Sequence, residues 1–188
     1  MRIWVFRHGE SETNKEGQWT GWLDAPLTDR GRAEARALTA LTAGKHFDKV
    51  YASDLSRAME TAALAIPGCE PIPEPMLREI NVGSIAGKSF SVVFYENGNR
   101  MNEDGYAAFG GESMKEMTER VGRFIERLEG EGCERIAVFC HAGVVRRFIS
   151  HTIGAEMKRG SIFLQNCAAC IFDYDEKGWH LYSLINQN

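Results

Sequence analysis

The chain has 188 residues, 44% hydrophobic and 26% charged, with a formal net charge of −4 and a pI near 5.8. That length builds a sizeable core without staples, and the mild negative charge excludes a broad surface for nucleic acid or anionic lipid, so any anion site must be a local cluster. No apolar stretch approaches the ~20 residues of a bilayer span, and one Arg followed by four apolar residues is no signal peptide, so a cytoplasmic protein without a membrane partner is expected.

The apolar run Ile3, Trp4, Val5 and Phe6 predicts a strand over residues 2–6 that leads straight into Arg7, His8, Gly9 and Glu10. A buried strand places two basic residues at its tip more rigidly than a solvated loop would. Residues 28–44, with Ala33, Ala37, Leu38 and Leu41 on one face, read as a helix. "KVYAS" at 49–53 is a second strand, and the Ala/Leu-rich run 55–66 is the helix after it. Residues 84–112 mix Gly, Asn and aromatics without a sustained period. They read as a surface excursion with a short helix near 90–95, the kind of segment that serves as a lid or specificity loop. Ser113-x-x-Glu116 is a capping box opening a helix to 129, whose stripe of Met114, Met117, Val121, Phe124, Ile125 and Leu128 is assigned to the core. "IAVFC" at 136–140 is a further strand, 144–153 the helix behind it, and 168–173 and 179–185 are the last two strands.

Strands alternating with helices predict an α/β fold, a three-layer α/β/α sandwich with a mostly parallel central sheet, in one domain over residues 1–188. Ligands of such folds bind outside the carboxyl ends of the strands. Two strands end there in a histidine motif, "VFRHG" and "VFCHAG", and Arg57 lies just inside the helix after the second strand. Arg7, Arg57, His8 and His141 converging at one sheet edge would make a phosphate or carboxylate pocket, with N–H donors from the helices after Ser53 and Ala142. The five cysteines read as free thiols. Cys167 and Cys170 form a CxxC, but they point to opposite faces of a strand and have no partners for a zinc site.

Taken together, "VFRHGESETN", "TGWLDAPLTDRGRAEA", "VYASDLSRAMETA", "LREINVGSIAG", "GGESMKEMTERV" and "VFCHAGVVR" resemble, in order and nearly end to end, segments of the histidine phosphatase superfamily, which includes the cofactor-dependent phosphoglycerate mutases. The resemblance implies a phosphoglycerate mutase-like fold and a role for each matching residue. His8 would be the nucleophile that becomes phosphohistidine. Arg7, Arg57 and a protonated His141 would hold the phosphoryl oxygens, with Asn14 assisting. Glu79 would be the general acid and then base. Thr20 and Gly21 match a substrate-contacting pair, and Ala142 stands where the family usually has glycine. No metal or other cofactor is implied.

Two other carboxylates lie near. Glu10 is read as orienting the nucleophile turn and Asp54 as an acid at a helix N-terminus, while Glu79 could also simply pair with Arg78. Mutases of the family carry a longer insertion with further basic residues, whereas the excursion here offers only Lys88 and Arg100. The layout is therefore nearer to phosphatases of small phosphomonoesters, the α-ribazole phosphatases among them. Mutase-type phosphoryl transfer is the alternative, and a non-catalytic module binding phosphorylated ligands a third. The expected partner is a phosphorylated small molecule. Self-association is left open.

Overall fold

The computed structural model describes residues 1–97, 105–155, 157 and 162–186. Strand β1 (Arg2–Arg7) is covered on both faces: Ile3 and Val5 enter one apolar cluster, Trp4 and Phe6 another, all four buried. A strand with two buried faces must lie inside a sheet. It pairs in parallel with β4 (Arg135–Cys140) and antiparallel with β5 (Ala169–Asp175). Beyond β4 lie β2 (Lys49–Ala52) and the two-residue edge strand β3 (Ile72–Pro73), and beyond β5 lies β6 (Gly178–Ile185). Among the described residues the order is β3-β2-β4-β1-β5-β6, with β5 alone running against the rest.

Helices cover both faces. On one side α6 (Met114–Glu129) and α7 (Ala142–Ile153) bury Val121, Phe124, Phe148 and Ile149 against Ile3, Val5 and Val138. On the other, α2 (Asp29–Ala37) and α4 (Ser56–Ala65) set Ala35, Ala62 and Ala65 against Trp4, Phe6 and Phe139. Each of the larger fully buried side chains (Ile, Val and Phe) contributes roughly 1.5–3 kcal/mol before the entropy of ordering it is subtracted. This is the three-layer, mostly parallel architecture expected from the alternation of strands and helices. Cys170 lies in the first cluster and Cys167 in the second, so the two thiols are on opposite sides of the sheet as anticipated.

Several elements depart from the sequence reading. The helix expected over 28–44 is interrupted at Leu38 and resumes as α3 (Thr39–Thr42). There the Leu41 and Leu38 amides bond three residues back, and the Thr42 hydroxyl donates to Ala65 O of α4 at 2.6 Å, pulling the turn sideways. Helix α1 (Glu12–Lys15) was not anticipated; it has no apolar face, but Ser11 and Asn14 close a capping box around it. Met114 is not core. It is partly exposed at the start of α6 and borders the cavity described below. Within 84–112, α5 (Phe90–Asn97) realises the short helix, and part of the excursion, 98–104, including Arg100, lies outside the described residues.

Candidate active site

Strands β1 and β4 are in register, with Arg7 opposite Cys140, so the residues that follow each strand emerge side by side. The His8 amide donates to Cys140 O at 2.9 Å, and the rings of His8 and His141 lie 5.1 Å apart, nearly edge to face. Arg57 arrives from the first turn of α4, next to β2 in the same sheet. All nine residues singled out from the sequence (Arg7, His8, Asn14, Thr20, Gly21, Arg57, Glu79, His141 and Ala142) border one cavity of about 260 Å³ at this sheet edge.

The turn that carries His8 and Gly9 is tightly built. Gly9 N donates to Thr61 Oγ1, and a Cβ on Gly9 would lie 2.3 Å from Gly31 O in α2, so only glycine lets the two backbones meet. His8 Nδ1 lies 2.6 Å from Gly9 O. A carbonyl can only accept, so Nδ1 carries the proton and the lone pair sits on Nε2 of a ring that faces the cavity. Burial, then Arg57 and Arg7, hold the His8 imidazole well below its ordinary range, which keeps it neutral.

The two guanidiniums bond to backbone carbonyls rather than to carboxylates. Arg7 donates to Leu164 O at 2.6 Å, and Arg57 donates to Leu23 O and Gly21 O, each at 2.9 Å. Neutral carbonyls thus hold both cations in place, with the Glu79 carboxylate of the same cavity as their main opposite charge. Burial is the main reason Arg57 falls to about 10, and it lowers Arg7 as well. The Nε atoms of both, and His141 Nδ1, are buried without a hydrogen bond among the described residues. Buried polar atoms of this kind are costly unless a ligand or water meets them, and the guanidinium N–H groups are donors that a phosphoryl oxygen can meet.

His141 corrects the sequence reading. Its Nε2 is 2.9 Å from Ser53 Oγ, and burial together with Arg57, His8, Arg7 and Arg120 holds it well below the ordinary range, so it is neutral rather than protonated in the protein alone. The N-terminus of α4 is also different: Asp24 Oδ1 accepts from Ser56 N and Oγ at 2.8 and 2.7 Å, so this helix end is capped rather than offered to an anion. Asp54, expected in that role, forks with Arg78 instead. Arg78 therefore leaves Glu79 to other partners: Ile80 N donates to Oε1 at 2.9 Å and Gly143 N to Oε2 at 3.1 Å. Glu10 accepts from Thr28 Oγ1 and faces Arg30, next to the turn that carries His8.

Among the remaining positions, Asn14 Oδ1 accepts from Asn166 Nδ2, whose amide also holds His8 O, and Thr20 Oγ1 bonds to Thr13 Oγ1 at 2.6 Å. Phe90 and Tyr106 come from the 84–112 excursion, whose aromatics the sequence offered for a leaving group, while Trp19, Arg146 and Arg147 were not foreseen. Trp19, Phe90 and Tyr106 form an aromatic wall, with Trp19 4.8 Å from Phe90 and 5.5 Å from Tyr106 between centroids, and Arg146 and Arg147 reach the cavity from α7. The "VVRRF" of α7 could have signalled the arginines, since residues three and four beyond Gly143 return to its side of the helix.

The two histidines make a pH-dependent stability. Both folded-state pKa values lie below the unfolded value of about 6.5, so the unfolded chain binds more protons as pH falls through that value and folding weakens. Urea unfolding between about pH 7.5 and pH 5.5 should lose stability with a slope approaching about 1.4 kcal/mol per pH unit for each histidine. Saturating inorganic phosphate should flatten that slope by favouring the protonated rings. A level profile in water would contradict the buried neutral pair.

A family model of the histidine phosphatase superfamily, branch 1, matches residues 3–187. The chain belongs to that family. Among histidine phosphatase relatives, an adenosylcobalamin/alpha-ribazole phosphatase of Salmonella typhimurium is 31% identical over 164 residues, 81% of this chain and 80% of that protein. A probable phosphoglycerate mutase, GpmB, of an Enterobacter species is 30% identical over 192 residues, 95% of this chain and 87% of that protein. The crystal structure of an alpha-ribazole phosphatase from Shigella flexneri matches with a TM-score of 0.86 at 27% identity, covering 98% of this chain and 96% of that one. The phosphoglycerate mutase-like fold expected of a histidine phosphatase is thus the fold observed. Among the described residues no helix is long and apolar enough to cross a membrane, and no three His, Cys, Asp or Glu side chains are grouped to hold a metal ion.

Proposed function

We propose that the protein hydrolyses small phosphomonoesters through a phosphohistidine on His8, without a metal. The observation that carries this reading is the tautomer set by Gly9 O, which leaves Nε2 of a neutral His8 as an available nucleophile beside two guanidiniums whose hydrogen bonds among the described residues go to backbone carbonyls. Nε2 attacks phosphorus, the ester bond breaks, and Arg7, Arg57 and His141 Nδ1–H hold the equatorial oxygens as charge spreads over them. Glu79 hands a proton to the departing alkoxide, then takes one from the water that cleaves the phosphohistidine. Asn14 Oδ1 and Asn166 steady the nucleophile turn, and the Gly21 carbonyl orients Arg57.

The aromatic wall of Trp19, Phe90 and Tyr106 favours a flat, ring-bearing leaving group, in keeping with the alpha-ribazole phosphatases among the relatives. A second reading, phosphoryl transfer on an acid-bearing sugar phosphate, draws on Arg146 and Arg147 at the cavity and on the mutase relatives. The test is turnover of p-nitrophenyl phosphate, α-ribazole phosphate and 3-phosphoglycerate in excess EDTA, with rapid quench after labelling from [³²P]phosphate esters. We expect chelator-resistant hydrolysis, fastest on the ring-bearing ester, and an acid-labile label on His8. Transfer to a second hydroxyl without phosphate release would favour the mutase. Loss of activity in EDTA would sink the metal-free mechanism, and phosphate binding without turnover would leave only a binding module.

A further inference from the structure

Glu79 lies on a short irregular segment between the 3₁₀ turns at Pro75–Leu77 and Gly83–Ile85, with no helix or strand of its own to hold it. A proton donor on such a segment needs outside support, because a displacement of about 1 Å costs orders of magnitude in rate. The support comes from Arg120, one turn and a half into α6, whose side chain is only 12% exposed. Its guanidinium has five N–H donors, and each meets an acceptor. Nε donates to Glu112 Oε1 at 2.8 Å, and Nη2 to Glu112 Oε2 at 2.8 Å and Glu79 O at 3.3 Å. Nη1 donates to Met76 O at 2.6 Å and Arg78 O at 2.9 Å.

Glu112 closes the arrangement from the other side. Its Oε2 accepts from Asn81 N at 3.2 Å and its own amide donates to Asn81 O at 2.8 Å. The two segments lie backbone to backbone, since a Cβ on Gly111 would stand 2.3 Å from Asn81 O. Three carbonyls of the stretch 76–79 therefore converge on one buried cation that a bidentate carboxylate holds flat. Trp22 Nε1, donating to Glu79 O at 2.7 Å, adds a further brace.

We infer that Arg120 and Glu112 are positioning residues that fix the Glu79 carboxyl between Gly143 N and the cavity, so that the pair governs proton delivery to the leaving group without touching substrate. This rests on the proton-donor reading of Glu79 given above. A lysine at 120 keeps the charge but has three donors and no planar fork, so it cannot serve five acceptors.

The test compares kcat/KM, which reports formation of the phosphohistidine, on an alkyl ester (β-glycerophosphate) and on 2,4-dinitrophenyl phosphate, whose leaving group needs no proton. Arg120→Lys and Glu112→Gln should each lower kcat/KM on the alkyl ester by about tenfold or more and on the dinitrophenyl ester by less than about threefold. In a Glu79→Gln background, Arg120→Lys should add less than about threefold on the alkyl ester, since the proton it positions is already gone. Equal losses on both esters would mean that the pair only supports the fold, and the inference fails. If Glu79→Gln itself discriminates between the esters and Arg120→Lys does not, the positioning role falls alone. If Glu79→Gln spares the alkyl ester, the proton-donor reading falls and takes this inference with it.

Discussion

Replacing His8 by alanine should lower turnover of every phosphomonoester by at least about 10⁴-fold and remove the covalent label altogether. In this reading the neutral Nε2 of His8 is the nucleophile, while His141 Nε2 is engaged with Ser53 Oγ. Arg7 and Arg57 stay anchored to Leu164, Leu23 and Gly21 through bonds that do not involve His8, so the variant should still bind inorganic phosphate. Binding retained with turnover lost separates loss of the nucleophile from collapse of the pocket. The variant should also be less sensitive to acid in urea unfolding, since one buried imidazole with a lowered pKa has gone. Hydrolysis persisting at the parent rate would remove His8 from the mechanism.

Gly143→Ala is the second large effect, and a less obvious one. The added Cβ would stand 2.1 Å from Glu79 Oε1 and 2.9 Å from Met117 Cε, far inside contact distance. The carboxylate must then leave its bond to Gly143 N, or the first turn of α7, which carries Ala142, must move. Either way the donor is misplaced, and kcat/KM on alkyl phosphates should fall by about 10²–10⁴-fold, the range general acid catalysis supplies. Dinitrophenyl phosphate should suffer much less. Alanine is intrinsically better than glycine in a helix by roughly 1 kcal/mol, so a simple loss of helix stability is not the expected cause. Unchanged alkyl ester kinetics would show that the Glu79 carboxyl works from somewhere else.

The local parts of the site were legible in the chain. Arg7 and His8 sit at the end of a run that has to be an interior strand, and "VFCHAG" repeats the device on a neighbouring one. Adjacency in sequence makes such placements robust, because a strand delivers its next residue to a known sheet edge. Charge states were less legible. His141 was expected to be cationic, but its charge is set by complete burial and then by neighbours including Arg57, Arg7 and Arg120, which tertiary packing brings to the ring. The α4 terminus was misread for a similar reason, since Asp24 caps it from more than thirty positions away.

The alternation of periods along the chain determined the layered α/β class, and the two histidine motifs with Arg57 determined which edge of the sheet carries the cavity. Both follow from spacings within a single element, where backbone geometry is nearly fixed. Tertiary packing alone decided that Arg146, Arg147 and the wall of Trp19, Phe90 and Tyr106 share that pocket, that His141 is neutral, and that Arg120 grips the stretch bearing Glu79. Contacts across forty residues of chain depend on how helices seat on the sheet, and no local period encodes that.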